Sequence, residues 1–211
     1  MKKIVIAGSG GFAKEVLTII QDLGRIEDFE GFIEPDNFIE KAKKNAKIMG
    51  FPVLKYSQIS ANSHEIYIGV GNSDIREKIY SYFGENYNFP TLIHPTAQIS
   101  PWVKIGKGAI ICAGSILTCD IKIGIFCQLN LNTTIGHDCV IGNYFTTAPN
   151  SNISGDCTFK EHVYFGTSSA VKQGIKICNR VTIGMGAIVT KNITEKGIYI
   201  GNPAKPLIKK I

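Results

Sequence analysis

The sequence contains no apolar stretch of the length that a membrane-spanning helix requires, which is about 20 consecutive residues. The apolar run Ile4–Ala7 ends at once in a glycine-rich segment and is too short for the core of a secretory signal peptide. The six cysteines include no CxxC pair, so neither a zinc site nor a redox motif is indicated. We therefore expect a cytoplasmic protein with free thiols, no metal ion and no membrane partner.

Dense basic segments are also missing. The formal net charge is +6, but no basic stretch is interleaved with aromatic residues and no nucleic-acid-binding motif occurs. We therefore expect no nucleic-acid partner, whereas a thinly spread positive charge suits a small anionic ligand such as a nucleotide. The apolar fraction of 44% and the charged fraction of 19% are those of an ordinary folded protein.

The C-terminal half contains an uninterrupted six-residue repeat. From Ile93 to Val189, sixteen of the seventeen positions spaced six residues apart are apolar, and the exception is Thr147. Four residues after each comes a second set that is mostly small or β-branched, beginning with Ala97 and Val103. A fixed short period is the mark of a solenoid. Six residues fit one flat side of a parallel β-helix, in which three sides close a coil.

The repeat also predicts how the coils stack. Side chains alternate inward along each short strand, and equivalent residues pile up every eighteen positions. One expected column is Ile105, Ile123, Ile141, Phe159 and Ile177. Glycine often follows the apolar position, as at Gly106 and Gly136, where we expect permissive residues to turn the corners. The alternative is a β-sandwich, but its turns recur roughly every 8–12 residues and would not stay in phase with hexads.

The first ninety residues lack the hexad, so we predict two domains, 1–90 and 91–211. An apolar segment followed by Gly8-Ser9-Gly10-Gly11 reads as a strand, a turn and a helix, and later apolar segments end at Glu34 and Gly71. This alternation predicts a small Rossmann-like α/β domain that binds ligands at the carboxyl ends of its strands. A dinucleotide-binding dehydrogenase is an alternative, since Gly8-x-Gly10-x-x-Ala13 nearly matches that fingerprint. Ninety residues, however, hold only about half of a dinucleotide fold.

Two histidines, His137 and His162, are candidates for a general base. Each lies at a predicted corner of the repeat beside an acid, Asp138 or Glu161, which can orient the imidazole and raise its basicity. The sequence motifs alone do not decide which of the two histidines is the base. A thiol nucleophile is a further alternative, because Cys119 lies one coil before His137.

On these motifs the chain resembles the left-handed β-helix, or hexapeptide-repeat, acyltransferases, in the group of nucleotide-sugar N-acetyltransferases and sialic-acid O-acetyltransferases. The resemblance covers the C-terminal half and extends to the N-terminal domain. It implies a cytoplasmic homotrimer that transfers acetyl from acetyl-CoA to the amino group of a UDP-, GDP- or dTDP-linked amino-deoxy sugar. The implied pathway is the synthesis of lipopolysaccharide or another surface glycan. A sialic-acid-type O-acetyltransferase and a non-catalytic β-helix scaffold remain the alternatives.

The resemblance also implies the site residues. The segment from Gly136 to Gly142 matches the one that carries the proton acceptor in the family, so His137 is the implied base and Asp138 its helper. The implied substrate-binding residues are Gly8, Gly10, Gly11, Phe12, Glu34, Pro35 and Gly71. The implied coenzyme-binding residues are Thr146, Gly155, Gly166, Thr167, Gly184 and Met185, and the amide of Gly155 is the implied oxyanion donor. Phe12, Pro35 and Thr146 depart from the bacillosamine-type pattern, which leaves the nucleotide and the sugar open.

Overall fold

The computed structural model describes residues 2–41 and 47–207 of the chain. By its internal contacts the chain divides into two compact units, Met1–Leu92 and Ile93–Ile211. Among the described residues, no helix is both long and apolar enough to cross a lipid bilayer.

The first unit is built on one five-stranded sheet. Its strands are β1 (Lys3–Ala7), β2 (Phe29–Glu34), β3 (Lys47–Ile48), β4 (Phe51–Lys55) and β5 (His64–Ile68). Its helices are α1 (Gly11–Asp22), α2 (Asp36–Lys41) and α3 (Ser73–Phe83). The strand order is β3-β4-β2-β1-β5, in which β3 is antiparallel to β4 and the other pairs are parallel. This is the small parallel sheet that the strand–helix alternation predicts.

Continuous apolar runs explain the central strands, because a parallel sheet covered on both faces buries every residue. Residues 4–7 of β1 are completely buried. Helix α1 packs closely because Gly69 follows β5: a Cβ at Gly69 would stand 2.7 Å from the Cα of Ala13. Strand β4 was not among the predicted strands, since Pro52 interrupts it and most of its residues are only half-buried.

The second unit is a stack of short strands, almost all of them two residues long. The strands are β6 (Leu92–Ile93), β7 (Gln98–Ile99), β8 (Lys104–Ile105), β9 (Ile110–Ile111), β10 (Ile116–Leu117), β11 (Lys122–Ile123), β12 (Gln128–Leu129), β13 (Thr134–Ile135), β14 (Val140–Ile141), β15 (Thr146–Thr147), β16 (Asn152–Ile153), β17 (Thr158–Phe159), β18 (Tyr164–Phe165), β19 (Ala170–Val171), β20 (Lys176–Ile177), β21 (Val181–Ile183), β22 (Ile188–Val189), β23 (Gly197–Ile200) and β24 (Lys205–Pro206). They form three sheets, because every third strand pairs in parallel with the strand one coil away.

We name the three sheets as the faces of a triangular β-helix. Face A comprises β7, β10, β13, β16, β19 and β22, and face B comprises β8, β11, β14, β17 and β20. Face C comprises β6, β9, β12, β15, β18, β21, β23 and β24, of which the last is antiparallel to its neighbour. The chain passes from face C to A to B and back to C, so each coil has the corners C–A, A–B and B–C.

The interior follows the predicted register. Ile123 pairs with Ile105 and Ile141, and Phe159 pairs with Ile141 and Ile177, so the expected column is confirmed. Three phenylalanines, Phe145, Phe159 and Phe165, pack against one another with ring centroids 5.3 to 5.8 Å apart. The buried Thr147 keeps its hydroxyl satisfied, because Oγ1 accepts from the amide of Asn130 and bonds to Oγ1 of Thr133.

Permissive residues do turn the corners, as Gly108, Gly114, Gly174 and Gly186 show, but the explanation is wrong for the glycines that directly follow the apolar position. Left-handed backbone falls three residues after the apolar position, where Asn132, Tyr144 and Asn150 adopt φ values of 55°, 57° and 60°. The glycines that directly follow the apolar position, such as Gly106 and Gly136, have no such φ. They are needed for close approach: a Cβ at Gly106 would stand 2.6 Å from the carbonyl carbon of Gly124 in the next coil.

Removing a ring from the phenylalanine cluster tests the packing of the β-helix. Phe159 is buried between Phe145 and Phe165, so Phe159→Ala leaves a cavity and is expected to lower the free energy of unfolding by about 3–5 kcal/mol. Its neighbour Thr158 points outward from face B, and Thr158→Ala is expected to change stability by less than about 0.5 kcal/mol. Urea unfolding followed by circular dichroism measures both. Equal effects from the two variants would contradict the assigned inward register.

Candidate active site

His137 lies on the outside of corner A–B, between β13 and β14. Its side chain is 49% exposed, and Nδ1 lies 2.7 Å from Oδ2 of Asp138. A carboxylate only accepts hydrogen bonds, so in the neutral imidazole this contact places the proton on Nδ1 and the lone pair on Nε2. Asp138 occupies the left-handed corner position with φ of 59°, and its amide donates to the carbonyl of Cys119 one coil earlier. The corner backbone therefore fixes the acid beside the imidazole.

Gly155 lies under the free nitrogen of that imidazole. It is the residue one coil beyond His137, and a Cβ built on it would stand 2.5 Å from Nε2. Only glycine leaves room for the ring at this position. The carbonyl of His137 accepts from the amide of Asp156, which ties the two corners together. Within the described chain, no hydrogen bond uses the N–H of Gly155.

The other candidates for the reacting group are placed differently. His162 lies at corner B–C, where its ring is buried and stacks on Tyr144 with centroids 5.0 Å apart. All six cysteines lie among the described residues and none of them forms a disulfide, and Cys119 is half-buried. In the part of the chain that the structure describes, no hydrogen bond joins the sulfur of Cys119 to His137. Of these three candidates, His137 alone has an exposed side chain with one ring nitrogen held by a carboxylate.

The residues predicted to bind the coenzyme divide between two corners. Gly166, Thr167, Gly184 and Met185 lie together at corner C–A, where a Cβ at Gly166 would stand 2.6 Å from the amide nitrogen of Met185. Met185 is 77% exposed there. Gly155 lies instead at corner A–B beside His137, and Thr146 is buried on face C. Face A separates the two corners by six residues along the chain, which is at most roughly 20 Å.

The first unit contains a cavity of about 870 Å³ at the carboxyl ends of its strands. All seven residues predicted to bind the substrate line it. The others that line it are Ser9, Asp36, Asn37, Tyr56, Gly69, Val70, Ile75, Lys78, Ile79 and Tyr82. The structure therefore brings the whole predicted set to one place.

The glycine turn leaves backbone donors at the cavity. Gly8 has φ of 105°, and a Cβ on Gly10 or Gly11 would meet open space. The N-cap of α1 is Gly10, which offers no side-chain acceptor, and the first turn contains no acid. The first N–H groups of α1 are thus available to an anion.

Glu34 stands at the end of β2, facing that turn. Its Oε1 accepts a hydrogen bond of 2.6 Å from the hydroxyl of Ser9. An acid at this position of a doubly wound sheet is suited to a ribose hydroxyl. The serine orients the carboxylate and leaves its other oxygen for a ligand.

Helix α3 forms one wall of the cavity. The sequence motifs did not predict that its residues belong to the site. Ile75, Lys78, Ile79 and Tyr82 line the cavity at the spacing of one helix face. The buried Arg76 points to the other side and donates to the carbonyls of Val70 and Gly71, which holds the wall of the cavity. The spacing of the four cavity-lining side chains can be read from the sequence. It does not predict a ligand site, because the same spacing occurs in any helix that packs on a core.

Two further residues of the cavity have shifted acidities. Burial, with a smaller contribution from the charge of Glu34, raises the pKa of Tyr56, so its phenol stays protonated as a hydrogen-bond donor. Hydrogen bonds from Ser57 lower the pKa of the half-buried Asp36, which is therefore an anion at neutral pH. The cavity thus contains both donors and acceptors for a polar ligand.

Comparison with known proteins supports both units. Residues 3–83 match the family described as the PglD N-terminal domain, and residues 161–191 match the hexapeptide repeat of succinyl-transferase. The GDP-perosamine N-acetyltransferase of Escherichia coli O157:H7 is 28% identical over 213 residues, which cover 96% of this chain and 95% of that protein.

Two solved structures resemble nearly the whole chain. WeeI from Acinetobacter baumannii AYE is 30% identical with a TM-score of 0.88, covering 98% of this chain and 100% of that one. The acetyltransferase domain of PglB from Neisseria gonorrhoeae FA1090, solved in complex with acetyl coenzyme A, is 27% identical with a TM-score of 0.86. That match covers 98% of this chain and 99% of that one. The predicted fold class, a Rossmann-like α/β domain followed by a left-handed parallel β-helix, is thereby confirmed.

Proposed function

We propose that this chain, which belongs to the hexapeptide-repeat acyltransferases with a PglD-type N-terminal domain, transfers acetyl from acetyl-CoA to the amino group of a nucleotide-linked amino-deoxy sugar. The observation that carries the proposal is the triad His137, Asp138 and Gly155 at corner A–B. The relative named for GDP-perosamine and the structure with bound acetyl coenzyme A support the two substrates. We assign the nucleotide sugar to the cavity of the first unit.

His137 acts in this reaction as a general base. Nε2 accepts a proton from the sugar amine as the amine attacks the acetyl carbonyl, and Asp138 stabilises the imidazolium that forms. The C–S bond then breaks as the carbonyl re-forms, and the departing sulfur of the coenzyme takes the proton from the imidazolium, which restores the base. No covalent intermediate on the protein is needed, because a thioester is already an activated acyl group.

The negative charge that develops on the carbonyl oxygen requires a donor close to the base. We assign this role to the N–H of Gly155, which lies one coil from His137 and is not used in the hydrogen bonds of the described chain. A preorganised backbone donor of this kind stabilises the transition state without reorganisation. The same glycine therefore makes room for the base and supplies the oxyanion donor.

The division of the coenzyme residues between two corners supports a homotrimer. One corner of a protomer holds His137 and Gly155, and the opposite corner of face A holds Thr167 and Met185. Packing through face A brings corner A–B of one copy against corner C–A of the next. Face A suits such packing because its six outward residues are uncharged: Gln98, Ile116, Thr134, Asn152, Ala170 and Ile188. Face B instead presents three lysines among five outward residues: Lys104, Lys122 and Lys176.

The place of the reaction follows from the chemistry of the substrates. Neither the four buried cysteines nor the two half-buried ones of the described chain form a disulfide, which suits the reducing cytoplasm. Acetyl-CoA and sugar nucleotides are the activated donors of intracellular synthesis. An N-acetylated nucleotide sugar is a precursor for a glycosyl transfer, so we place the protein in the synthesis of lipopolysaccharide or another surface glycan.

A panel of acceptors tests the proposed reaction. With acetyl-CoA, UDP-, GDP- and dTDP-linked amino-deoxy sugars are offered beside free sialic acid, and mass spectrometry records the gain of one acetyl group. At least one amino sugar nucleotide is expected to react, whereas a nucleotide sugar without an amine, such as GDP-mannose, is expected to stay unchanged. Acetylation of sialic acid alone would overturn the proposal in favour of O-acetylation.

Removal of the imidazole tests the proposed base. His137→Ala is expected to lower kcat/KM by about 100-fold or more, since general bases typically contribute ~10²–10⁴. The side chain is half-exposed, so far-UV circular dichroism should show an unchanged fold. His94→Ala is the control, because His94 bonds to the amide and hydroxyl of Thr96 and is not part of the proposed triad, and this variant should keep most activity. Full activity in His137→Ala is the result expected of a scaffold protein and contradicts the mechanism.

A charge placed on face A tests the trimer. Ala170 is the fifth of the six outward residues of face A, and Ala170→Glu would bury an unpaired carboxylate at each of three contacts, at a cost of several kcal/mol per ion. Light scattering after size exclusion should show a trimer for the wild type and smaller species for the variant. Thr158→Glu, on face B, should leave the trimer intact. A monomeric wild type, or dissociation only in Thr158→Glu, contradicts the assignment.

A further inference from the structure

The cavity of the first unit ends in an aromatic wall with no part yet in the proposed reaction. Tyr56 and Tyr82 line it with ring centroids 5.2 Å apart. Phe83 packs against both rings, at 5.0 Å in each case. Tyr56 is buried, whereas Tyr82 is 62% exposed although it is held from two sides. An exposed ring that is fixed in place is a ready surface for a planar ligand.

Helix α3 reaches this wall by crossing the edge of the sheet. It begins just after the end of β5, where Asn72 caps it through its side chain, and ends against Tyr56, which follows β4. Its 11 residues span roughly 16 Å, and the step from β5 to β4 is three strand spacings, about 14 Å. The helix therefore lies over the carboxyl ends of β1 and β2, between the glycine turn and the aromatic wall.

The order of the strands assigns the parts of a nucleotide along this cavity. The end of β1 carries the glycine turn and the first N–H groups of α1, which suit a phosphate. The end of β2 carries Glu34, which suits a ribose hydroxyl. The next strand in the sheet is β4, and Tyr56 stands at its end. A nucleotide laid in this order places its base against Tyr56 and Tyr82.

We infer that Tyr82 is the stacking platform for the nucleobase, and that Tyr56 and Phe83 hold its ring in position. The inference rests on the proposed nucleotide-sugar substrate and names the residue that binds its base. Three aromatic residues line the cavity, and of these Phe12 is half-buried, Tyr56 is buried and Tyr82 alone is exposed. Lys78, one helical turn before Tyr82 on the same face of α3, adds a cation between the aromatic wall and the glycine turn.

Stacking makes a distinct prediction from simple apolar coverage. Every base has a π-face, so the platform should act on guanine, uracil and thymine nucleotides alike, and its loss should weaken binding of whichever the protein prefers. Base–aromatic stacking is lost in Tyr82→Ala and in Tyr82→Leu, although leucine keeps an apolar side chain at the position. Tyr82→Phe keeps the ring and removes only the hydroxyl. The three variants thus separate the π-system from the hydroxyl and from bulk.

Titration calorimetry with GDP, UDP and dTDP tests the assignment. For the nucleotide that binds best, Tyr82→Ala and Tyr82→Leu are expected to raise Kd about 10-fold, and Tyr82→Phe less than about threefold. In turnover, the KM for the nucleotide sugar should rise in the same order, whereas the KM for acetyl-CoA should not change. Because the side chain is exposed, thermal unfolding of the variants should match that of the wild type.

The outcomes test the role of Tyr82 separately from the proposed nucleotide-sugar substrate. A wild-type protein that binds none of the three nucleotides contradicts the nucleotide-sugar substrate itself. A wild type that binds, with Kd unchanged in Tyr82→Ala, overturns the role of Tyr82 and leaves the substrate in place. If Tyr82→Leu binds the nucleotide with the Kd of the wild type, stacking is overturned and the side chain provides only apolar coverage.

Discussion

The hydrogen bonding between stacked coils is the constraint on which the second unit depends. At each corner from Phe126 to Gly186 the left-handed residue donates its amide to a carbonyl nineteen residues earlier, as Asp138 does to Cys119 and Asp156 does to His137. An insertion of one residue would break this register and turn inward side chains outward. The same bonds fix the chemistry, because they set the imidazole of His137 directly over Gly155. The proposed base and oxyanion donor are therefore consequences of the coil repeat.

Close backbone approach explains the sequence of the corners better than backbone conformation does. The left-handed position is glycine at Gly108, Gly114, Gly174 and Gly186. It also accepts aspartate, asparagine, aromatic residues and Arg180, since the hydrogen bonds between stacked coils outweigh the modest cost of a positive φ. Glycine is required elsewhere, where the next coil leaves no room for a Cβ, as at Gly136 and Gly155. At Gly155 the crowding atom belongs to the side chain of His137, so this glycine serves the site as well as the fold.

Much of the fold could be predicted because a period of six leaves few alternatives. The sixteen apolar positions, the eighteen-residue columns and the outward orientation of His137 all follow from that spacing. The site in the first unit could be predicted in part, because a glycine turn and an acid after β2 have a known geometry. Tyr56, Lys78 and Tyr82 could not be found in this way. They join the cavity only through the path of α3 across the sheet edge, which is a tertiary fact without a local signal.

The two units hold their proposed site residues by different physical means. The proposed base and oxyanion donor lie on stacked backbone, where a shift of one residue would break the register of the coils, so their geometry is rigid. The nucleotide cavity is formed by side chains at strand ends and on one face of α3, and several of these, including Lys78 and Tyr82, are exposed. Exposed side chains can change without loss of packing. Selectivity for the nucleotide can thus vary among such proteins while the acetyl-transfer geometry stays fixed by the coil.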